Sequence, residues 1–282
     1  IIDGLVSSFR RSEKLQIHTR FLYSVGSIYR RHNGNLLYHG CIPCDGNGEF
    51  MEFSLYSDTP LKGRAFLDWA DRLARQGYFA PDGSMERLRG LDFLWFLWCG
   101  RNSPICGRTK ITTFERALIE DKASYTEPKN PYYVYYGSEE FCRRILDDFD
   151  LHKPWSRIIN GHMPVKVKEG EDPRKGGGRL VVIDGGFCKA YHKQTGIAGY
   201  TMFFSSHGMR IAAHEPFTTR EEAIHGKKDI TSHSFIVENL PRRLMISDTD
   251  AGEGIKRRIE DLNALLDAYR SGIIKTDSTG RI

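Results

Sequence analysis

Apolar and polar positions alternate with a helical period at both ends of the chain and a shorter one in between. From Leu5 to Tyr23, the residues Leu5, Phe9, Leu15, Phe21 and Leu22 recur at helical spacing among charged neighbours. A hairpin-like passage follows: GSIYRR at 26–31, the turn HNGN at 32–35, and LLYHG at 36–40. Asn33-Gly34 is a favoured two-residue turn, so SIYRR and LLYHG are predicted as adjacent antiparallel strands, with His39 at the far end of the second. Between Lys62 and Tyr78, the residues Phe66, Trp69, Leu73 and Tyr78 form one apolar helical face. Further helices are predicted over Leu91 to Trp98 and from Thr112 or Thr113, either able to cap, through Ile119. The polar stretch 121–133 reads as loop. Ser138 then caps an amphipathic helix that carries Glu139 and Glu140 in its first turn and turns Phe141, Ile145 and Phe149 inward.

The period shortens over 158–238, where RIING, PVKVK, RLVVID, GYTMFFSS, MRIAAH and SFIVEN read as short strands. KGGGR at 175–179 and SSHGMR at 205–210 separate consecutive runs as tight turns, so a meander of antiparallel strands is expected. The triple glycine is no phosphate loop, because no GK[ST] follows it. Helical spacing returns from Gly252 to Ile273 through Ile255, Ile259, Leu262, Leu266 and Tyr269, with Asp248 or Asp250 as cap. That stripe predicts docking on the parent domain or a seam between copies of a homo-oligomer. The chain thus divides into 1–157, mostly helical with one hairpin; 158–238, the strand meander; and 248–274, a C-terminal amphipathic helix. The fold class is α/β.

Composition narrows the function. The 282 residues, 40% hydrophobic and 27% charged, suit one large soluble domain or two small ones. The most apolar run, LDFLWFLWC at 91–99, is too short for a membrane span and contains Asp92, so no membrane association is expected. A net charge of +5 arises from 41 basic and 36 acidic residues that are interspersed, as in EGEDPRK at 169–175. Nucleic-acid binding would cluster the positive charge on one surface; a diffuse positive field suits small anions. The six cysteines, at 41, 44, 99, 106, 142 and 188, are read as reduced thiols in a cytoplasmic protein, since Cys41 and Cys44 form a CxxC with no second CxxC to complete a zinc site. The first residue is Ile1 rather than Met, and the chain shows no basic-then-apolar signal pattern, which reads as a fragment lacking its upstream segment.

The candidate chemistry lies in two short stretches, LLYHG at 36–40 and INGHMPVK at 159–166. Each carries a glycine-flanked histidine at the end of an apolar run. Strand ends deliver side chains to the rim of a sheet, so His39 and His162 can converge as metal ligands although they are distant in sequence.

Around them stand HGCIP at 39–43, NGHMPV at 160–165 and RLVVIDGGFCKAY at 179–191, with SEKLQIHTRFLY at 12–23, FLWFLWCGRNSP at 93–104, ITTFER at 111–116, KNPYYV at 129–134 and TGIAGYTMFF at 195–204. Together these segments, spanning roughly residues 5 to 272, resemble the second half of a class III fructose-1,6-bisphosphatase, a bacterial enzyme of the calcineurin-like metallophosphatase superfamily. The resemblance implies a four-layer αββα sandwich in the whole enzyme, of which this chain holds the second sheet and its covering helices. It implies a fructose-1,6-bisphosphate 1-phosphohydrolase of gluconeogenesis, with hydroxide attack on phosphorus at two divalent cations, manganese first. Such a centre is built from five sequence blocks. His39 matches the fourth and His162 the fifth, with Met163 as a packing substitution. The strand-borne Asp-x-His, GDxxDRG and GNH blocks are not matched, so they and the general acid are expected upstream of Ile1. By the same resemblance Arg108, then Lys110, reaches a bound phosphate. Asp184 orients a ligating histidine, and Lys189 and Tyr191 contact the sugar or the distal phosphate. Two other readings stand beside this one: a metallophosphoesterase acting on a nucleotide or phosphoprotein, and a non-catalytic packing or oligomerisation lobe.

Overall fold

The computed structural model describes residues 1–186, 188, 192–217, 219–226 and 231–275. The opening helical stretch divides into α1 (Ile2–Arg11) and α2 (Glu13–Val25). The break falls at Ser12, whose Oγ accepts the Leu15 N–H at 3.5 Å and so starts a new helix instead of continuing the first. The hairpin β1 (Tyr29–His32) and β2 (Asn35–Tyr38) forms as the sequence predicts, pairing Tyr29 with Tyr38 and His32 with Asn35. Asn33 and Gly34 both take left-handed conformations, φ +49° and +83°, as this two-residue turn requires.

Next come α3 (Gly63–Phe79) and α4 (Met85–Cys99), packed on each other where Gly77 meets Gly90, with Phe66, Leu67, Leu73, Phe93 and Leu97 buried. The short helices α5 (Thr113–Leu118) and α6 (Tyr132–Tyr135) follow. Thr112 does not cap α5; its hydroxyl donates to Glu127 Oε1 at 2.7 Å. In α7 (Glu139–Asp148) Ser138 is the cap, and Phe141, Ile145 and Phe149 are buried as their spacing predicts.

The middle of the chain departs from the expected antiparallel meander. The strands β3 (Ile158–Asn160), β4 (Arg174–Lys175) and β5 (Leu180–Val182) join the first hairpin in one five-stranded mixed sheet of order β1-β2-β3-β5-β4. Within it β2, β3 and β5 are mutually parallel and only the outer pairs are antiparallel. The physical reason lies in the side chains: β3 and β5 are buried along their whole length, which is the mark of an interior parallel strand and not of a half-exposed meander. PVKVK forms no strand; it contains a 3₁₀ turn at Val167–Glu169.

After α8 (His192–Thr195), the strands β6 (Gly199–Ser205), β7 (Gly208–His214) and β8 (Ser232–Asn239) make a separate antiparallel sheet, with α9 (Arg220–His225) between the last two. The meander is therefore confined to 199–239, and the described residues hold two sheets where one was expected. Arg157, just before β3, donates to Glu238 of β8 at 2.5 Å and ties the two sheets together in a nearly buried ion pair. The chain ends in α10 (Asp250–Arg270), capped by Thr249, whose hydroxyl accepts the Gly252 N–H, and not by either aspartate. Its apolar stripe finds no cover among the described residues: Ile259 is 52% and Leu262 64% exposed. No helix among the described residues is long and apolar enough to cross a membrane.

Candidate functional site

Parallel strands end on the same edge of a sheet, which is where open α/β sheets collect their functional groups. Because Tyr38 and Asn160 are register partners, β2 and β3 stop at the same height. His39 is the first residue past β2 and His162 the second past β3. Their imidazoles meet there, His162 Nδ1 and His39 Nε2 3.0 Å apart, with ring centroids at 4.9 Å and planes at 83°. The convergence that the sequence predicts is present, although the strands that deliver it are parallel.

The backbone around the pair is fixed by a residue that the sequence reading passed over. Asn160 is 1% exposed, and its amide nitrogen donates to the carbonyls of Tyr38, His39 and Gly40 at 3.3, 3.1 and 2.8 Å. One buried side chain thus fastens the end of β3 to the turn that carries His39. Its Oδ1 faces the Tyr132 hydroxyl at 3.4 Å, and Tyr132 and Tyr38 share a hydrogen bond of 2.7 Å. Burial pushes both phenols well above their usual range, so these hydroxyls stay protonated. Gly161 adds its N–H to the His39 carbonyl at 3.2 Å. Gly40 is required for space: a Cβ there would lie 2.1 Å from the Pro104 carbonyl oxygen, which accepts the Cys41 N–H.

His162 has φ +66°, a left-handed conformation uncommon outside glycine. Its proton affinity is lowered, first by burial and then by the charges of His39 and Arg108; the Cys106 backbone and Asp184 act the other way. The net effect favours the neutral imidazole, which is the form with a lone pair to give. Its second nitrogen, Nε2, is buried without a hydrogen-bond partner.

These features fit a divalent cation. Two imidazole nitrogens each about 2.1 Å from one ion, at neighbouring coordination positions, sit about 3 Å from one another. They are also only part of a coordination sphere, and no group of three or more His, Cys, Asp or Glu able to hold a metal occurs among the described residues. An Asp-x-His does occur, at Asp150-Leu151-His152, but it follows α7 and not a strand. Its Asp150 pairs with Arg64, and His152 Nδ1 lies 3.0 Å from Asp147.

The expected anion-binding residues separate. Arg108 lies beside the pair: Nη2 contacts the Met163 sulfur at 3.8 Å, while Nη1 pairs with Glu127. Lys110 is not brought to the site; its Nζ donates to the Ser124 carbonyl at 2.9 Å. Asp184 makes no hydrogen bond to either imidazole. Its Oδ1 accepts the Gly186 N–H at 2.9 Å and its carbonyl the Val165 N–H, so it acts on His162 by field alone. Lys189 and Tyr191 lie outside the described residues. Cys41 and Cys44 are buried, and burial raises both thiols, Cys44 to about 12, so without a metal both stay protonated near neutral pH.

Comparison with known proteins places these residues in context. The profile of a family described as Firmicute fructose-1,6-bisphosphatase matches residues 1–271. A fructose-1,6-bisphosphatase class 3 of Clostridium botulinum (strain 657 / Type Ba4) is 50% identical over 282 residues, covering 100% of this chain and 42% of its own length. The protein of the same name from the Langeland strain is also 50% identical over the same extent. That of Clostridioides difficile (strain 630) is 48% identical over 275 residues, with 98% of this chain and 42% of its own length covered. The chain therefore spans about 42% of the length of the curated relatives it matches. No solved structure matches.

Proposed function

Since the chain belongs to the Firmicute fructose-1,6-bisphosphatase family, we infer that the whole protein removes the 1-phosphate of fructose-1,6-bisphosphate in gluconeogenesis, releasing fructose 6-phosphate and inorganic phosphate. One observation carries the reading: two histidines 123 residues apart meet at 3.0 Å on the edge of a parallel strand pair. His39 and His162 are the metal ligands in this reading, and two divalent cations, manganese first, the cofactor. Such ions, when bound, supply Lewis acidity and offset the charge that opposes attack on a phosphate ester.

The chain's own contribution is to present and hold the donors. Burial and the Arg108 charge keep His162 unprotonated. Asn160 fixes the turn that bears His39, and the Arg108 guanidinium offers hydrogen bonds to a phosphate oxygen. The remaining donors and the general acid belong to the portion of the relatives' length that this chain does not span. The calcineurin-like αββα arrangement completes the picture, with the apolar stripe of α10 covered by that portion or by a second copy, in a cytoplasmic enzyme.

The test is phosphate release by the full-length protein from a panel of esters, together with metal content per chain. Fructose-1,6-bisphosphate is expected to be the preferred ester. His39→Ala and His162→Ala are each expected to lower metal affinity roughly a hundredfold or more, with activity falling in parallel. Preference for a nucleotide or a phosphoprotein, or unchanged metal content in both variants, overturns the reading.

A further inference from the structure

A second feature beside the histidines involves a lysine that the sequence reading did not single out. Residues 107–109 and 128–130 form an isolated antiparallel bridge in which Thr109 N–H donates to the Pro128 carbonyl at 2.9 Å and Asn130 N–H to the Gly107 carbonyl at 3.0 Å. Those bonds flank Arg108 and Lys129, which makes the two a directly opposed, non-hydrogen-bonded pair, the closest side-chain pairing that an antiparallel ladder provides. Like charges directly opposite each other are destabilising. The fold accepts that cost immediately beside the site. Lys166, four residues past His162, adds a third positive charge that acts on Lys129.

The three cations differ in how they are satisfied. Arg108 pairs with Glu127. Lys166 Nζ binds both oxygens of Glu169, at 3.1 and 3.0 Å. Among the described residues Lys129 has neither a hydrogen bond nor an ion pair for its ammonium group. The carboxylate that acts on it, Glu171, is already engaged by the Lys166 backbone N–H at 3.0 Å. Lys129 is an exposed residue on this surface; desolvation of its ammonium and the neighbouring charges of Arg108 and Lys166 lower its proton affinity, against the opposing charge of Glu171. Arg108 couples to both Lys129 and His162, so the cluster is continuous with the metal ligands.

We propose that Lys129, backed by Arg108 and Lys166, binds the phosphate group of the substrate that does not react. A phosphate dianion there would relieve the Arg108–Lys129 repulsion and give the exposed Lys129 ammonium a charged acceptor in place of water. The inference rests on the phosphomonoesterase reading above, and it specifies a substrate with two phosphates.

The experiment compares full-length wild type, Lys129→Met and Lys129→Arg on fructose-1,6-bisphosphate and on p-nitrophenyl phosphate, which has only the reacting phosphate. Lys129→Met is expected to raise KM for the bisphosphate roughly tenfold to hundredfold, to change its kcat little, and to leave kcat/KM for p-nitrophenyl phosphate within about twofold. Lys129→Arg is expected to restore most of the loss. Equal losses on both esters, or no loss on either, overturn the proposal. If wild type hydrolyses no bisphosphate, the functional reading fails and the proposal as stated fails with it. Titration with inorganic phosphate followed by ³¹P resonance then decides whether an anion site remains: weaker binding in Lys129→Met retains the site, and equal binding removes it.

Discussion

At the scale of the residue, the chemistry depends on side chains whose significance differs greatly in how far sequence exposes it. His39 and His162 are legible because each is flanked by glycine at the end of an apolar run. Asn160 carries no such signal. Its importance is to fasten carbonyls some 120 positions earlier in the chain, and an asparagine ahead of a glycine reads locally as a turn residue. Arg108 and Lys110 look equivalent in CGRTK, yet Arg108 reaches Met163 beside the histidines while Lys110 is held by the Ser124 carbonyl, contacts that no local pattern shows. Glu127 illustrates how a partner tunes a group at this scale. Burial alone would raise its carboxyl, but hydrogen bonds from Thr112 and the charges of Arg108 and Arg116 outweigh burial and hold it below the usual carboxylate range. A carboxyl lowered on folding stabilises the folded state above its unfolded pKa, and that contribution is lost as pH falls through the folded value. Glu127→Gln should therefore flatten the stability profile below about pH 4.5, as read from urea midpoints at several pH values. An acid limb as steep as wild type would contradict this.

At the scale of the element, periodicity located the helices well. Lys62–Tyr78 and the helix after Ser138 were legible because each buries one face at a spacing of three and four. Pairing direction was not legible. An apolar run of three residues such as Ile158–Asn160 has no polar alternation to show which face is wet, and its partners Leu36–Tyr38 and Leu180–Val182 are distant or separated by a hairpin. The link between the two sheets was equally hidden, because Arg157 and Glu238 look like ordinary surface charges until they meet at 12% and 16% exposure. Breaking such a pair leaves one charge buried without compensation. Arg157→Met is thus expected to destabilise the protein by about 3–5 kcal/mol, and Arg157→Met with Glu238→Leu to recover much of that loss. Chemical denaturation of the two variants checks this. A double variant no more stable than the single one would show that the pair acts otherwise.

At the scale of the whole molecule, apolar surface is distributed unevenly. The core is built on the five-stranded sheet with α3, α4 and α7, whereas α1, α2 and α10 leave Leu5, Phe21, Leu22, Ile255, Ile259 and Leu262 at least half exposed. Large contiguous apolar patches are uncommon on isolated soluble monomers. The 282-residue chain on its own is therefore expected to self-associate with rising concentration in light scattering. Ile259→Ser with Leu262→Ser should shift it toward monomer. A single mass at all concentrations in the unmodified chain would contradict this expectation.

The parallel pairing of β2 with β3 has a kinetic consequence. The contact between Tyr38 and Asn160 closes a loop of 122 residues, and that conformational entropy must be surrendered before the pairing returns any free energy. Local helices can form early on a growing polypeptide, but the two imidazoles cannot become neighbours until the chain through His162 has emerged from the ribosome. In the proposed reading, metal capture is consequently a late event in the life of each molecule, available only to chains whose central sheet has already assembled.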